Sequence, residues 1–308
     1  MMRHHDGPQD SRTASMDATA QARCLPAGTG TRRPATGWSS AADMEVRMLF
    51  FGLSTWVIAL LLMMVIVGAT VVGHLVGRPT RARSADVREP FAVIQAALIG
   101  FMGLVLAFGI SLAVGRYEAR RAAVVDEANA IGTTYLRAQT LAEPTRTQSL
   151  ALLRRFADIS IELSRTVPGS PAQQEAVAAS GEVERRLWKL AGQALADAPT
   201  ASAPRLYVES LNETFDAQST REYGLLNRVP TAVLVLEVAG AAIALAALAV
   251  HLAALGRGIR TVLVAAIVVA LTLLVTFDLD RPTRGLIRVP DDPLTQVRNS
   301  MDLPTFAR

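Results

Sequence analysis

Of the 308 residues, 51% are hydrophobic and only 19% charged, against about a quarter charged in an ordinary soluble domain, so a large apolar share has to sit away from water. The net charge is +4, from 31 Lys+Arg and 27 Asp+Glu. A single cysteine, Cys24, excludes an intramolecular disulfide, a cysteine zinc cluster and a CxxC redox centre.

In chain order, residues 1–47 are rich in Gly, Pro, Ser, Thr and Ala without periodicity and read as a disordered N-terminal tail. Met16, Met44 and Met48 leave the true start open, and Arg32-Arg33 fits a twin-arginine signal poorly because Pro34 follows and Leu49 is distant. Residues 48–115 hold the first two membrane helices. Leu49 to Val76 carries no formal charge, and Ala92 to Gly115 has only Gln95 and Ser111 as polar side chains. Each meets the roughly 20-residue length that a bilayer core requires, and the first is too long for a signal-peptide core.

The second span has two stripes. Gly103, Ala107, Ser111 and Gly115 recur every four residues, a small-residue stripe on which another helix packs closely. Leu98, Phe101, Val105, Phe108 and Leu112 recur at three and four and are predicted roughly opposite. That bulky side faces lipid or a bundle core, or else forms the apolar constriction of an oligomeric pore.

Residues 116–228 contain 14 Lys+Arg and 14 Asp+Glu, and this neutrality opposes phosphate binding. They read as an extramembrane helical bundle, with breakers at Pro144, Pro168 to Pro171 and Pro199 to Pro204. The first helix continues the second span as one rod from Ala92 to Leu141, with Val124, Ala128, Ile131 and Tyr135 on one face. Helices over 145–166 and 171–196 carry Leu152, Phe156, Ile159 and Leu163, then Val183, Leu187 and Leu190; a further helix carries Leu206, Leu211 and Phe215. No alternating β pattern is present, so the fold class is all-α.

Residues 229–278 supply two more spans, Val229 to Leu255 and Thr261 to Phe277, and residues 279–308 form a C-terminal tail. Glu237 lies eight residues into the third span, about 12 Å deep at 1.5 Å per residue. A carboxylate there is costly and faces protein or a water cavity. With four spans, Arg116, Arg120 and Arg121 share one membrane face with Asp278 and Asp280 and are predicted to form an interfacial ion-pair belt with them. His4 and His5 lie in the tail, and His74 and His251 near one membrane face, so neither a metal site nor any cofactor is expected. No catalytic motif stands in a sensible context, which argues against an enzyme.

Asp126-Glu127-Ala128-Asn129-Ala130-Ile131-Gly132-Thr133, after Arg116-Tyr117-Glu118-Ala119-Arg120-Arg121, resembles the bacterial bestrophin-like membrane family, a domain of unknown function. Leu279-Asp280-Arg281-Pro282 with Gly285-Leu286-Ile287 is similar to that family's ending, and the likeness covers about residues 50 to 300. The resemblance implies a distant tie to bestrophins, pentameric anion channels with four membrane helices per subunit. Their second helix lines the pore through a bulky apolar neck, and their termini and helical domain are cytosolic. Carried onto this chain by helix order and residue character, the neck is Phe101, Val105 and Phe108, with Leu112 beyond. The bestrophin calcium clasp has no counterpart in this sequence.

The reading that follows is an integral protein of the plasma or inner membrane, a homo-oligomer in the lipid bilayer that conducts small anions and binds no nucleic acid. Charge does not set its orientation: Arg32, Arg33, Arg47, Arg281, Arg284 and Arg288 on one face balance Arg78, Arg81, Arg83, Arg88, Arg257 and Arg260 on the other. Two alternatives stand beside it: a non-conducting receptor or scaffold that relays movement along the Ala92 to Leu141 rod, and an intramembrane enzyme using Glu237.

Overall fold

A computed structural model describes residues 53–79, 88–281 and 285–303. The tail at 1–47, with Cys24, His4 and His5, and the start of the first span at Leu49 lie outside the described residues. So do Arg81, Arg83, Pro282 and Arg284. Every described element is an α-helix: α1 Thr55–Gly77, α2 Arg88–Ala138, α3 Thr145–Arg165, α4 Pro171–Asp197, α5 Ser202–Leu226, α6 Thr231–Ala254, α7 Arg260–Leu279 and α8 Asp292–Ser300.

Four of them, α1, α2, α6 and α7, are long and apolar enough to cross a membrane. Ser54 opens α1, its Oγ accepting from the Val57 N–H at 3.3 Å. Inside the membrane layer α1 packs on α6 and α7 around Ile66, Leu245, Ala266 and Leu273. The α1–α6 approach is set by Gly73 and Gly77, one helical turn apart. A β-carbon at Gly73 would lie 2.8 Å from Ala246 Cα, and one at Gly77 2.8 Å from Val250 Cα. With no hydrophobic drive between helices in lipid, such backbone contact supplies the association through dispersion. Gly73→Val would wedge the two helices apart, at a cost of about 1–3 kcal/mol. We expect a lower unfolding temperature for that variant in detergent, whereas Gly68→Val, with open space around it, should leave the temperature unchanged.

Helix α2 runs unbroken for 51 residues, about 76 Å at 1.5 Å per residue, more than twice a bilayer core of roughly 30 Å. Its outer half is therefore a bundle helix. There Val124, Ala128, Ile131 and Tyr135 are buried together with Leu153, Phe156, Ile159 and Leu163 of α3, Val183 and Leu187 of α4, and Tyr207 and Leu211 of α5. Burial in this dry core pushes the Tyr207 phenol up to about 12. Two predicted stripe positions shift by one residue. Leu153 is fully buried where Leu152 was expected, and Tyr207 is buried while Leu206 is exposed. Steps of three and four leave the register uncertain by one when both neighbours are apolar.

The stretch after α7 is more than a tail. Helix α8 inserts Leu294, and Met301 follows it into the bundle core. The Tyr135 hydroxyl and Arg154 Nη2 both donate to the Met301 carbonyl, at 2.9 and 2.7 Å. Arg298 pairs with Asp158 at 2.7 Å, and Arg165 with Asp291 at 2.8 Å. Few apolar residues in a nine-residue helix hid this docking from the sequence pattern.

Candidate functional site

Along the membrane half of α2, side chains fall into three lanes. Met102, Gly109 and Ala113 are buried and Leu106 partly so, facing α6 and α7. Phe101, Leu104, Phe108 and Leu112 point away from the protein, at 56, 53, 67 and 38% exposure. Gly103, Ala107, Ser111 and Gly115 are exposed as well, and nothing lies within 4 Å of a β-carbon built at Gly103 or Gly115. The bulky and small-residue stripes are therefore neighbours on one outward half of the helix, not opposites. At 100° per residue a third, mixed lane takes the protein side. Val105, predicted on the bulky stripe, is half-buried, and Leu104, four residues before Phe108, takes its place in the exposed row. The signal for Leu104 was present in its i, i+4, i+8 spacing with Phe108 and Leu112.

The protein-facing lane is keyed to α6 by two reciprocal insertions. The Glu237 carboxyl group of α6 fills the space that a side chain at Gly109 would take, and Met102 Sδ does the same at Gly240. Glu237 is fully buried, and neither carboxyl oxygen has a hydrogen-bond partner among the described residues. It faces protein, and its seat is the residue after Phe108. On the other side of the membrane layer, His74 is buried and His251 stacks on Phe91 with ring centroids 6.0 Å apart.

Where α2 leaves the apolar layer, the expected belt of five charges divides. Arg120 is buried and pairs with Asp280 at 3.6 Å. Its nitrogens also donate to the carbonyls of Gly224 at 3.1 Å, Leu279 at 3.2 Å and Asn227 at 2.7 Å. Asp280 further binds Arg228 at 3.2 Å and accepts from the Val229 N–H at 3.0 Å. The junction thus ties α2 to the start of α6 and the end of α7. Burial lowers the solvation of both ions, and the surrounding donors and acceptors offset that cost.

The other three expected members do not join. Asp278 accepts from the N–H groups of Leu286 and Ile287, at 2.9 and 2.8 Å, and from the Thr55 hydroxyl at 3.4 Å. Gly285 allows this closure, since a β-carbon there would lie 2.9 Å from Asp278 Oδ2. Arg121 meets Glu118 in an exposed pair at 3.8 Å, and Arg116 Nη1 donates to Asn227 Oδ1. Sequence order placed all five groups at one face, but only helix rotation decides which of them meet.

The bundle holds a second buried pair that residue spacing did not single out. Glu127 of α2 and Arg221 of α5 are 0 and 3% exposed and paired through Arg221 Nε. Ser160 Oγ donates to Glu127 Oε1 at 2.8 Å, and Arg221 Nη1 donates to Ser164 Oγ at 2.9 Å. Beside it, Gln218 Nε2 donates to Ser180 Oγ and to Glu222 Oε1, both at 2.8 Å. Nothing in the flanking residues marks the pair: Arg221 stands between Thr220 and Glu222, and Glu127 follows Asp126. Among the described residues no group of three or more His, Cys, Asp and Glu gathers at metal-binding distance.

The model of the Bestrophin-like domain matches residues 58–294. The chain is similar to the crystal structure of a bacterial bestrophin homologue from Klebsiella pneumoniae, with a TM-score of 0.57 and 13% identity over 79% of this chain and 96% of that one. Two point variants of the Klebsiella pneumoniae homologue align with TM-scores of 0.56 at 14 and 15% identity, each covering 77% of this chain and 97% of the other. At such identity the likeness is one of fold. Among curated protein sequences, none matches.

Proposed function

The chain belongs to the Bestrophin-like domain family, and on that premise we propose that it assembles as a homo-oligomer whose α2 helices surround an ion pathway. It is an integral membrane protein with four membrane helices and a helical bundle. The observation that carries the reading is the bare outward half of α2. A protomer that ends in lipid there would have no reason to place a smooth lane of Gly103, Ala107, Ser111 and Gly115 directly beside a row of Phe101, Leu104, Phe108 and Leu112. Small residues admit a neighbouring subunit's backbone, and the bulky row then narrows the space around a common axis.

In this assembly the neck is apolar and passes ions by desolvation, with Val105 at its flank. Small anions are the conducted species that the family tie favours, and the bundle stands on the cytoplasmic side. Because α2 is one rod from the membrane into the bundle, movement in the bundle reaches the neck without a hinge.

The test is halide flux into liposomes containing purified full-length protein, with the oligomer counted by native mass spectrometry. Phe108→Ala removes a ring that is 67% exposed and belongs to none of the described buried clusters, so folding should be retained while flux rises. A monomeric protein without flux would overturn the proposal.

A further inference from the structure

Arg116 stands one turn beyond Leu112 and two beyond Phe108 on the row that forms the proposed neck, at the point where α2 emerges from the apolar layer. It lines a concavity of about 540 Å³ together with Phe108, Ser111, Leu112 and Asn227. The three arginines of this turn differ in how their charge is met. Arg120 has Asp280 and Arg121 has Glu118. Arg116 has no carboxylate within ion-pair distance among the described residues: its Nη1 donates to the neutral Asn227 Oδ1, and its Nε is buried without a partner. Asn227 thus orients the guanidinium, and with Oδ1 engaged its amide N–H₂ remains as a second donor.

We propose that Arg116 and Asn227 form an anion-binding site at the mouth of the neck, which takes monovalent anions such as halide or nitrate and sets the pathway's selectivity for them. The proposal rests on the channel reading above. A guanidinium that is neutralised by no acid, and that is walled by Phe108 and Leu112, acts in a medium of lower dielectric than bulk water, where its field is stronger. Repeated around the axis of a homo-oligomer, it becomes a ring of positive charge before an apolar constriction, as anion pores require. The bulky row strips water from the ion, and the donors of Arg116 and Asn227 replace part of that hydration. A phospholipid headgroup offers the same anionic chemistry at the same depth, so the two sources have to be separated by measurement.

Full-length protein is reconstituted in planar bilayers of phosphatidylcholine, and the chloride-to-potassium permeability ratio is read from the reversal potential in a KCl gradient. Focused positive charge raises local counter-ion concentration at least about tenfold, so Arg116→Gln should lower the ratio by about that factor. Arg116→Glu should invert the preference, and Arg116→Lys should keep most of it. Crystals soaked in bromide should show anomalous density between Arg116 and Asn227 that Arg116→Gln abolishes. A conducting Arg116→Gln channel with the wild-type ratio overturns this site and leaves the channel reading intact. So does native mass spectrometry in which Arg116→Gln loses a bound anionic phospholipid while the ratio is unchanged. Wild-type protein that carries no current overturns the channel reading and the selectivity role together.

Discussion

Glu127→Ala is expected to destabilise the helical bundle by about 3–5 kcal/mol, the cost of leaving a buried ion without its counter-ion. Arg221 is 3% exposed and sits between α3 and α5, where Ser160 and Ser164 accept its remaining donors. Removing the Glu127 carboxylate leaves that guanidinium charged and away from water, and it also strips Ser160 Oγ of its acceptor. The pair itself need not be stabilising, because two ions lose their hydration when it forms. A double substitution, Glu127→Met with Arg221→Leu, should therefore fold better than Glu127→Ala alone, since well-packed apolar replacements of a buried pair are commonly neutral or favourable. Thermal unfolding of the detergent-solubilised protein measures both. Equal destabilisation by the single and double substitutions would mean that the pair is not the cause.

The second large effect is expected at the contact of α2 with α6. Gly109→Ala drives a methyl group into the carboxyl group of Glu237, and overpacking of a close helix contact costs about 1–3 kcal/mol. Glu237→Ala leaves a small void at the same place, a cost offset in part because it removes a buried carboxyl group that no described residue hydrogen-bonds. The two changes should compensate one another. Gly109→Ala with Glu237→Ala restores a filled contact, so the double variant should be more stable than the sum of the single losses, by an interaction energy of about 0.5–3 kcal/mol. Unfolding temperatures of the four proteins in one detergent give this cycle. Strict additivity would place Glu237 elsewhere than against Gly109. The same variants separate position from function. Gly109 is the neighbour of Phe108, so on the proposed channel reading a shift of α2 at this point should change halide flux, whereas an intramembrane enzyme would lose its activity with Glu237 whatever stands at Gly109.

Much of the architecture is legible in the sequence because it follows from solvent exclusion. Apolar runs near 20 residues have one stable place, and an unbroken stretch without proline from the second run into the bundle has one conformation, so α2 could be read as a rod. The exposed row containing Phe108 and Leu112 could be read from periodicity. The direction of each stripe could not, because a helix that is apolar all round carries no mark of which side meets protein. For that reason the small-residue lane at Gly103 to Gly115 looked like the packing face. Within the protomer, the close approaches are made instead by Gly73 and Gly77 of α1 against α6, by Glu237 at Gly109 and by Met102 at Gly240. The Gly73-His74-Leu75-Val76-Gly77 spacing in α1 was the available signal for the first of these.

Charge behaves in the same way. The sequence by itself determined that Arg116, Arg120, Arg121, Asp278 and Asp280 come to one membrane face, because the number of spans fixes which helix ends share a side. Only the tertiary structure decided that Arg120 takes Asp280, that Asp278 holds the loop at Leu286 and Ile287, and that Arg116 is left facing the concavity beneath Phe108. It likewise decided that Glu127 finds Arg221, 94 positions away. Hydrophobicity is a property of a segment and can be summed along a chain, whereas an ion pair depends on the relative rotation of two helices to within a fraction of a turn, which no local pattern records.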